Sequence, residues 1–284
     1  MCYRVIYLVN FSITLNSLLS LGSLEHIIKV LAEFGLRYIE IPGDPTNSSS
    51  KTNLEIFNTY NLSVLGVSGL WTRSKGMSPI LLTKNQQILS YSKNYIKECI
   101  KMCNYFGGSI LNVCLLSDND LKIDRNHEVI PNKDKKKLLR GLIPILSELT
   151  CFSKDFGVYL LLEPLNRYST PFCCNAADAL FVSSNINDDH FAILLDTYHM
   201  NIEEKDFSYS IRKTKNFLKH IHVSDNNRRM PGLGHINFNS IFKALKKVQY
   251  TNYIGLEPII DKNYRTEIRQ GLNFLNKISD KHMI

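Results

Sequence analysis

Residues 157–164 read GVYLLLEP and residues 191–196 read FAILLD. Each is a short aliphatic run with no polar interruption, ended by a carboxylate. A strand that is apolar on both faces belongs in a sheet covered on both sides, a parallel sheet wrapped by helices. Working outward from these two runs, the same kind of segment recurs along the chain. Strands are expected at 4–9, 36–41, 62–67, 109–115, 158–163, 191–196, 220–223 and 253–257. Between them lie amphipathic segments at 23–34, 52–60, 83–106, 134–156, 176–183, 206–217, 239–248 and 261–278. Their apolar residues fall at three- and four-residue spacing, as with Ile27, Ile28, Leu31 and Phe34. Gly35, Gly107 and Gly157 each stand between a helical segment and the next strand, where a left-handed helix end is expected. Eight strands and eight helices in 284 residues average about 35 residues per unit, the spacing of a (β/α)₈ TIM barrel. No linker or composition shift breaks the series, so a single α/β barrel domain over 1–284 is expected. A doubly wound open sheet is the alternative, but no GxGxxG follows the first strand, which argues against a dinucleotide-binding version.

Composition narrows the class without choosing a function. The chain is 44% hydrophobic and 21% charged, ordinary for a soluble globular protein, and long enough to bury a core without disulfides or structural zinc. Lys plus Arg exceeds Asp plus Glu, 34 against 26, giving +8 and a pI near 9.0. That balance leaves anionic partners open. The basic residues are nevertheless dispersed, and the densest run, Lys133 to Lys137, reads as a solvated helix face. The seven cysteines, at 2, 99, 103, 114, 151, 173 and 174, contain no CxxC pair and read as reduced thiols of a cytoplasmic protein. No apolar run is long enough for a membrane span. Asn10, Ser12 and Asn16 interrupt the apolar N-terminus, so it is not read as a signal peptide.

A barrel places chemistry at the C-terminal ends of its strands. Those ends carry Glu40, Glu163, Asp196, His222 and Glu257. The last four come from four consecutive strands, so their side chains should converge on one side of the mouth. Three carboxylates and an imidazole brought together repel unless a cation sits among them. Oxygen-rich ligation with one nitrogen favours Mn²⁺, Mg²⁺ or Co²⁺ over a structural zinc, and four protein ligands leave two octahedral positions for a bidentate substrate.

At these residues the sequence resembles a known group. LLLEPLNRYST at 160–170, LLDTYHMNIEE at 194–204, HIHVSDNNRRMPGLGHINF at 220–238 and GLEP at 255–258 are similar to the xylose-isomerase-like sugar isomerases and epimerases, nearest to the D-tagatose/D-psicose (allulose) 3-epimerase branch. The intervals from 163 to 196, 196 to 222 and 222 to 257, that is 33, 26 and 35 residues, also match that branch. The resemblance implies that Glu163, Asp196, His222 and Glu257 ligate one divalent metal and that Glu163 and Glu257 act as an acid/base pair. It implies that His199 and Arg228 bind substrate oxygens and that the partner is a small keto-sugar, and, since relatives often pair, it leaves a homo-oligomer open. The chemistry is coherent on physical grounds. A cation chelated by a carbonyl and its neighbouring hydroxyl stabilises an enediolate, and two carboxylates on opposite faces can remove a proton from one and return it to the other. Return to the neighbouring carbon would interconvert aldose and ketose, so epimerase and isomerase both stay open. In the ketose 3-epimerases a glutamate follows Asn-Arg-Tyr, and this chain has Ser169. A serine cannot reproduce a carboxylate contact, so ketose, keto acid, inosose and sugar phosphate remain open as substrates.

Other residues are assigned lesser roles. Glu40 is expected to support or cap rather than ligate. His220 is expected to point away from His222, toward the helix layer. Asn166, Arg167 and Asp225 are expected to orient ligands and loops, His235 to be structural, and Trp71 to be wall or core. A three-zinc AP endonuclease needs further histidines, but none lies between His26 and His127, and Arg228-Arg229-Met230-Pro231 follows the seventh strand where Asp-x-His would be needed. Nucleic acid and membrane are therefore not expected partners. A non-catalytic sugar-binding barrel would not need the paired glutamates.

Overall fold

The computed structural model describes residues 10–45, 50–69, 79–116, 132–260 and 262–282. Eight parallel strands close in sequence order: β1 Phe11–Thr14, β2 Tyr38–Pro42, β3 Ser63–Ser68, β4 Ile110–Val113, β5 Tyr159–Leu162, β6 Phe191–Asp196, β7 Leu218–Val223 and β8 Ile254–Leu256. Closure is made by β1 on β8, with Ser12 opposite Gly255. Around the strands run α1 Leu24–Glu33, α2 Ser50–Thr59, α3 Gln86–Tyr105, α4 Asn132–Lys154, α5 Ala176–Ile186, α6 Thr197–Glu203, α7 Phe207–Thr214, α8 Phe238–Lys247 and α9 Tyr264–His282. Helices begin where a side chain takes up free backbone N–H groups, as Ser23 does for α1, Asn85 for α3 and Asn175 for α5. Gly35, Gly107 and Gly157 have φ of 81°, 77° and 64°, the expected left-handed helix ends. No described helix is long and apolar enough to cross a membrane.

Seven of the eight expected strands fall where the sequence placed them. The first does not: β1 is Phe11–Thr14, while 4–9 lies outside the described residues. The apolar run 4–9 was the more obvious strand, but Ser12 and Thr14 of β1 are both fully buried polar residues. The helix α6 was also unforeseen, because it starts directly on the strand-ending Asp196. Lys135, read as part of a solvated face, is instead buried and ion-paired to Asp178 at 2.7 Å, joining α4 to α5.

Strand alternation sorts the buried residues into two sets. On β5, Leu160 and Leu162 face the helices and belong to the large core between sheet and helix ring. Tyr159 and Leu161 face inward, joining Leu65, Ile110, Ala192 and Leu194, with Tyr38 and Tyr253, in a small core inside the barrel. One more step along the inner face brings Glu163 on the β5 end, and by the same parity Asp196 on β6, to the mouth. The apolar interior is thus a floor on which the polar end-residues stand.

Two glycines allow a direct check on packing. A Cβ at Gly66 on β3 would sit 2.3 Å from the carbonyl oxygen of Ile110 on β4, whereas one at Gly141, exposed on α4, meets nothing. Gly66→Ala should cost about 1–3 kcal/mol from overpacking. Gly141→Ala should gain about 0.5–1 kcal/mol from helix propensity. Urea unfolding midpoints with unchanged slope would register both, in opposite directions.

Candidate functional site

The four strand-end residues meet. Glu163, Asp196, His222 and Glu257 each offer a ligand-type atom, and these atoms all lie within 4.8 Å of one another. The first three are buried and Glu257 retains 15% side-chain exposure, the opening toward the mouth.

Each is held from outside the cluster. On Glu163, Oε2 accepts from Asn112 Nδ2 at 2.6 Å and from Cys114 Sγ at 3.4 Å, both on or just past β4. Its Oε1 is buried without a hydrogen bond. Asp196 Oδ1 caps α6 by accepting from the backbone of Tyr198 at 2.7 Å and His199 at 3.3 Å, and Oδ2 takes Arg228 Nη1 at 2.7 Å. Arg228 gives its other nitrogen, Nη2, to Glu257 Oε2 at 2.6 Å and rests 4.9 Å over the ring of Tyr198. Imidazole His222 lies with Nε2 2.8 Å from Glu40 Oε2, while Nδ1 stands 3.0 Å from Glu257 Oε2 without hydrogen-bond alignment.

The electrostatics follow from burial and from one guanidinium shared between two of the three carboxylates. Burial, with the nearby charge of Glu257, pushes the Glu163 carboxyl up to about 8. Burial acts the same way on Glu257, but the Arg228 and His222 charges overcome it and hold that carboxyl far below its usual range. Burial would lower His222, yet the carboxylates of Glu40 and Glu257 raise it well above an ordinary histidine.

His199 stands beside the cluster, its Nε2 4.0 Å from Glu163 Oε1. Its Nδ1 accepts from the backbone N–H of Asn166 at 3.0 Å, so the neutral ring carries its proton on Nε2, facing the site. Burial favours that neutral form. Asn166 and Arg167 therefore do orient neighbours. The Arg167 guanidinium clasps Glu203 at the end of α6 through two 2.8 Å bonds, and its backbone N–H adds a third. Asp225 is fully buried and accepts from the backbone of Asn226, Gly232 and Ile236, folding the loop that presents Arg228 at φ 60°. His235 is exposed, and its backbone N–H donates to Asn226 Oδ1 at 2.9 Å. Trp71 lies outside the described residues.

One placement is corrected. His220 does not face the helix layer: it is 1% exposed inside the barrel, with Nε2 3.0 Å from Glu40 Oε1. Residues i and i+2 of a strand share a face, so His220 had to lie beneath His222. Sequence reading also missed Asn112 and Cys114. Their signal was parity, since both are polar or thiol positions on the inward side of an otherwise apolar strand.

The donor set suits a hard divalent cation. Three carboxylates and an imidazole offer ligand atoms within 4.8 Å of one another, and Glu163 Oε1 and His222 Nδ1 are both buried without a hydrogen bond.

Residues 28–278 match the xylose isomerase-like TIM barrel family, and the chain belongs to it. Among its relatives, the D-psicose 3-epimerase of Agrobacterium fabrum is 35% identical over 109 residues, 38% of each chain. The 3-dehydro-D-guloside 4-epimerase of Escherichia coli is 36% identical over 122 residues, 43% of this chain and 45% of that one. These matches span less than half the length of either relative. The D-allulose 3-epimerase of Methylomonas sp., solved with D-allulose, superposes with a TM-score of 0.78 at 21% identity, covering 95% of this chain and 96% of that one.

The Arg167–Glu203 clasp makes a pH prediction. Burial opposes ionisation of Glu203, but the hydrogen bonds and charge of Arg167 win and hold its carboxyl below the usual range. A depressed carboxyl contributes stability above its unfolded value of about 4.3 and loses it as pH falls through the folded value. Glu203→Gln should cost about 1–2 kcal/mol at pH 7. The gap between the two proteins should be flat from pH 6 to 8 and narrow below about pH 4, as read from urea midpoints across that range.

Proposed function

We propose that this chain is a divalent-metal-dependent epimerase of keto-sugars that moves a proton on the carbon beside a carbonyl. The observation that carries the proposal is the pair Glu163, buried, and Glu257, opening toward the barrel mouth, whose ligand atoms lie within 4.8 Å of one another and of those of Asp196 and His222. Glu163, Asp196, His222 and Glu257 would hold the ion, with Mn²⁺ first among the candidates. When bound, such an ion polarises the substrate carbonyl and offsets the negative charge that develops on deprotonation. The chain's own residues do the rest. One glutamate takes the proton from the carbon, the other gives one back on the opposite face, and the centre is inverted with no net change in protons.

The Nε2–H of His199 is a donor for a substrate oxygen, fixed in that tautomer by Asn166. Arg228 spans Asp196 and Glu257 and can turn one N–H toward a hydroxyl while keeping their charges compensated. Among the described residues near the mouth, Arg167, Arg228 and Arg229 are each already engaged by a carboxylate. Similarity to enzymes named D-psicose 3-epimerase and 3-dehydro-D-guloside 4-epimerase supports the same chemistry. Six free thiols among the described residues suit a reducing, cytoplasmic setting.

Proton exchange tests the proposal. The protein with Mn²⁺ in D₂O should place deuterium on a carbon next to the carbonyl of a ketose or keto-glycoside, followed by NMR. Chelation should stop exchange and Mn²⁺ restore it. Either Glu163→Gln or Glu257→Gln should slow it about 10²–10⁴-fold. Inversion at the labelled carbon would establish epimerisation, and appearance of an aldose would move the assignment to aldose–ketose isomerisation. Absence of exchange across free, phosphorylated and glycosidic ketoses with metal bound would contradict the proposal.

A further inference from the structure

Beneath the four-residue cluster the barrel interior does not return at once to hydrocarbon. Glu40 on β2 is 1% exposed, and its two oxygens are shared among three side chains from β1 and β7. Oε1 accepts from Ser12 Oγ at 2.6 Å and lies 3.0 Å from His220 Nε2, while Oε2 lies 2.8 Å from His222 Nε2. A carboxylate only accepts, so both imidazoles donate to it through Nε2. With Nε2 of His222 committed as donor, Nδ1 is the ring nitrogen left for a ligand, and that atom is buried without a hydrogen bond beside Glu257.

The fourth wall of this layer is β8, and it is built to leave room. A Cβ at Gly255 would fall 2.5 Å from Glu40 Oε1, 2.7 Å from His222 Cδ2 and 2.8 Å from His220 Nε2. Three atoms of the network thus occupy the space where any other residue would carry a side chain. Glu40, His220 and His222 also form a compact group of ligand types in their own right. Their separations of 2.8–3.0 Å are those of N–H···O bonds, with both imidazoles donating to the one carboxylate.

We propose that Glu40 is a positioning residue, anchored by Ser12 and His220 and given space by Gly255, which sets the ring orientation and tautomer of His222 so that Nδ1 faces the metal. The inference rests on the metal reading above. A carboxylate behind a ligating histidine tightens binding because it fixes the ring and increases its basicity, and its loss typically weakens metal affinity 10–100-fold.

Two measurements on the full chain test it. Free Mn²⁺ followed by electron paramagnetic resonance should show Glu40→Gln and Gly255→Ala binding the ion 10–100-fold more weakly than wild type, with the circular dichroism of the fold retained. In wild type saturated with Mg²⁺, histidine-selective ¹⁵N NMR should find the His222 proton on Nε2 and none on Nδ1. Affinity within twofold of wild type in Glu40→Gln, or a proton on Nδ1, would overturn the inference. Where Glu40→Gln fails to fold, the wild-type spectrum decides alone. Failure of wild type to bind Mn²⁺ at all is a different result: it overturns the metal reading and this inference with it.

Discussion

Three carboxylates within 4.8 Å of one another, taken out of water at the mouth of a barrel, repel strongly, and much of the surrounding structure exists to contain that repulsion. Arg228 spans two of them. The third, Glu163, is pinned through Oε2 by Asn112 and pushed toward its neutral form. The imidazole of His222 lies between carboxylates on both of its nitrogens, Glu40 behind and Glu257 in front. Together these contacts hold the three carboxylates in one place at the mouth of the barrel.

The supports reach well beyond the four side chains. Asp196 ends β6 and caps α6 with the same carboxylate, so the helix that carries His199 starts from the site itself. The far end of α6 supplies Glu203, which clasps Arg167 and thereby fixes the loop after β5. Asp225 gathers three backbone N–H groups and sets the turn from which Arg228 reaches back. A displacement in any one loop is therefore resisted by ties to its neighbours, which is how a site on loop ends acquires the rigidity of the strands below.

Much of this was legible in the residues, for definite reasons. Uninterrupted aliphatic runs ended by Glu163 and Asp196 announced a parallel barrel and its working face together, because the period-two pattern that buries Leu161 also points Glu163 inward. What escaped notice was polar and inward-facing. The strand Phe11–Thr14 looks unlike a barrel strand because Ser12 serves Glu40, and the more apolar segment before it drew attention away. His220 was misplaced by a parity error that the spacing itself could have prevented. Asn112 is marked only by parity, as an amide on the inward side of an apolar strand, and that mark does not name Glu163 as its partner. Contacts across 51 residues of sequence or more are set by barrel closure, which local pattern does not encode.

The central claim is that a divalent ion sits among Glu163, Asp196, His222 and Glu257. Anomalous diffraction from crystals soaked in MnCl₂, collected at the manganese edge, tests it most directly. The account predicts one strong peak about 2.0–2.3 Å from an oxygen of each carboxylate and from Nδ1 of His222. A peak lodged instead among Glu40, His220 and His222, ligation through Nε2 of His222, or no peak at the cluster would contradict it.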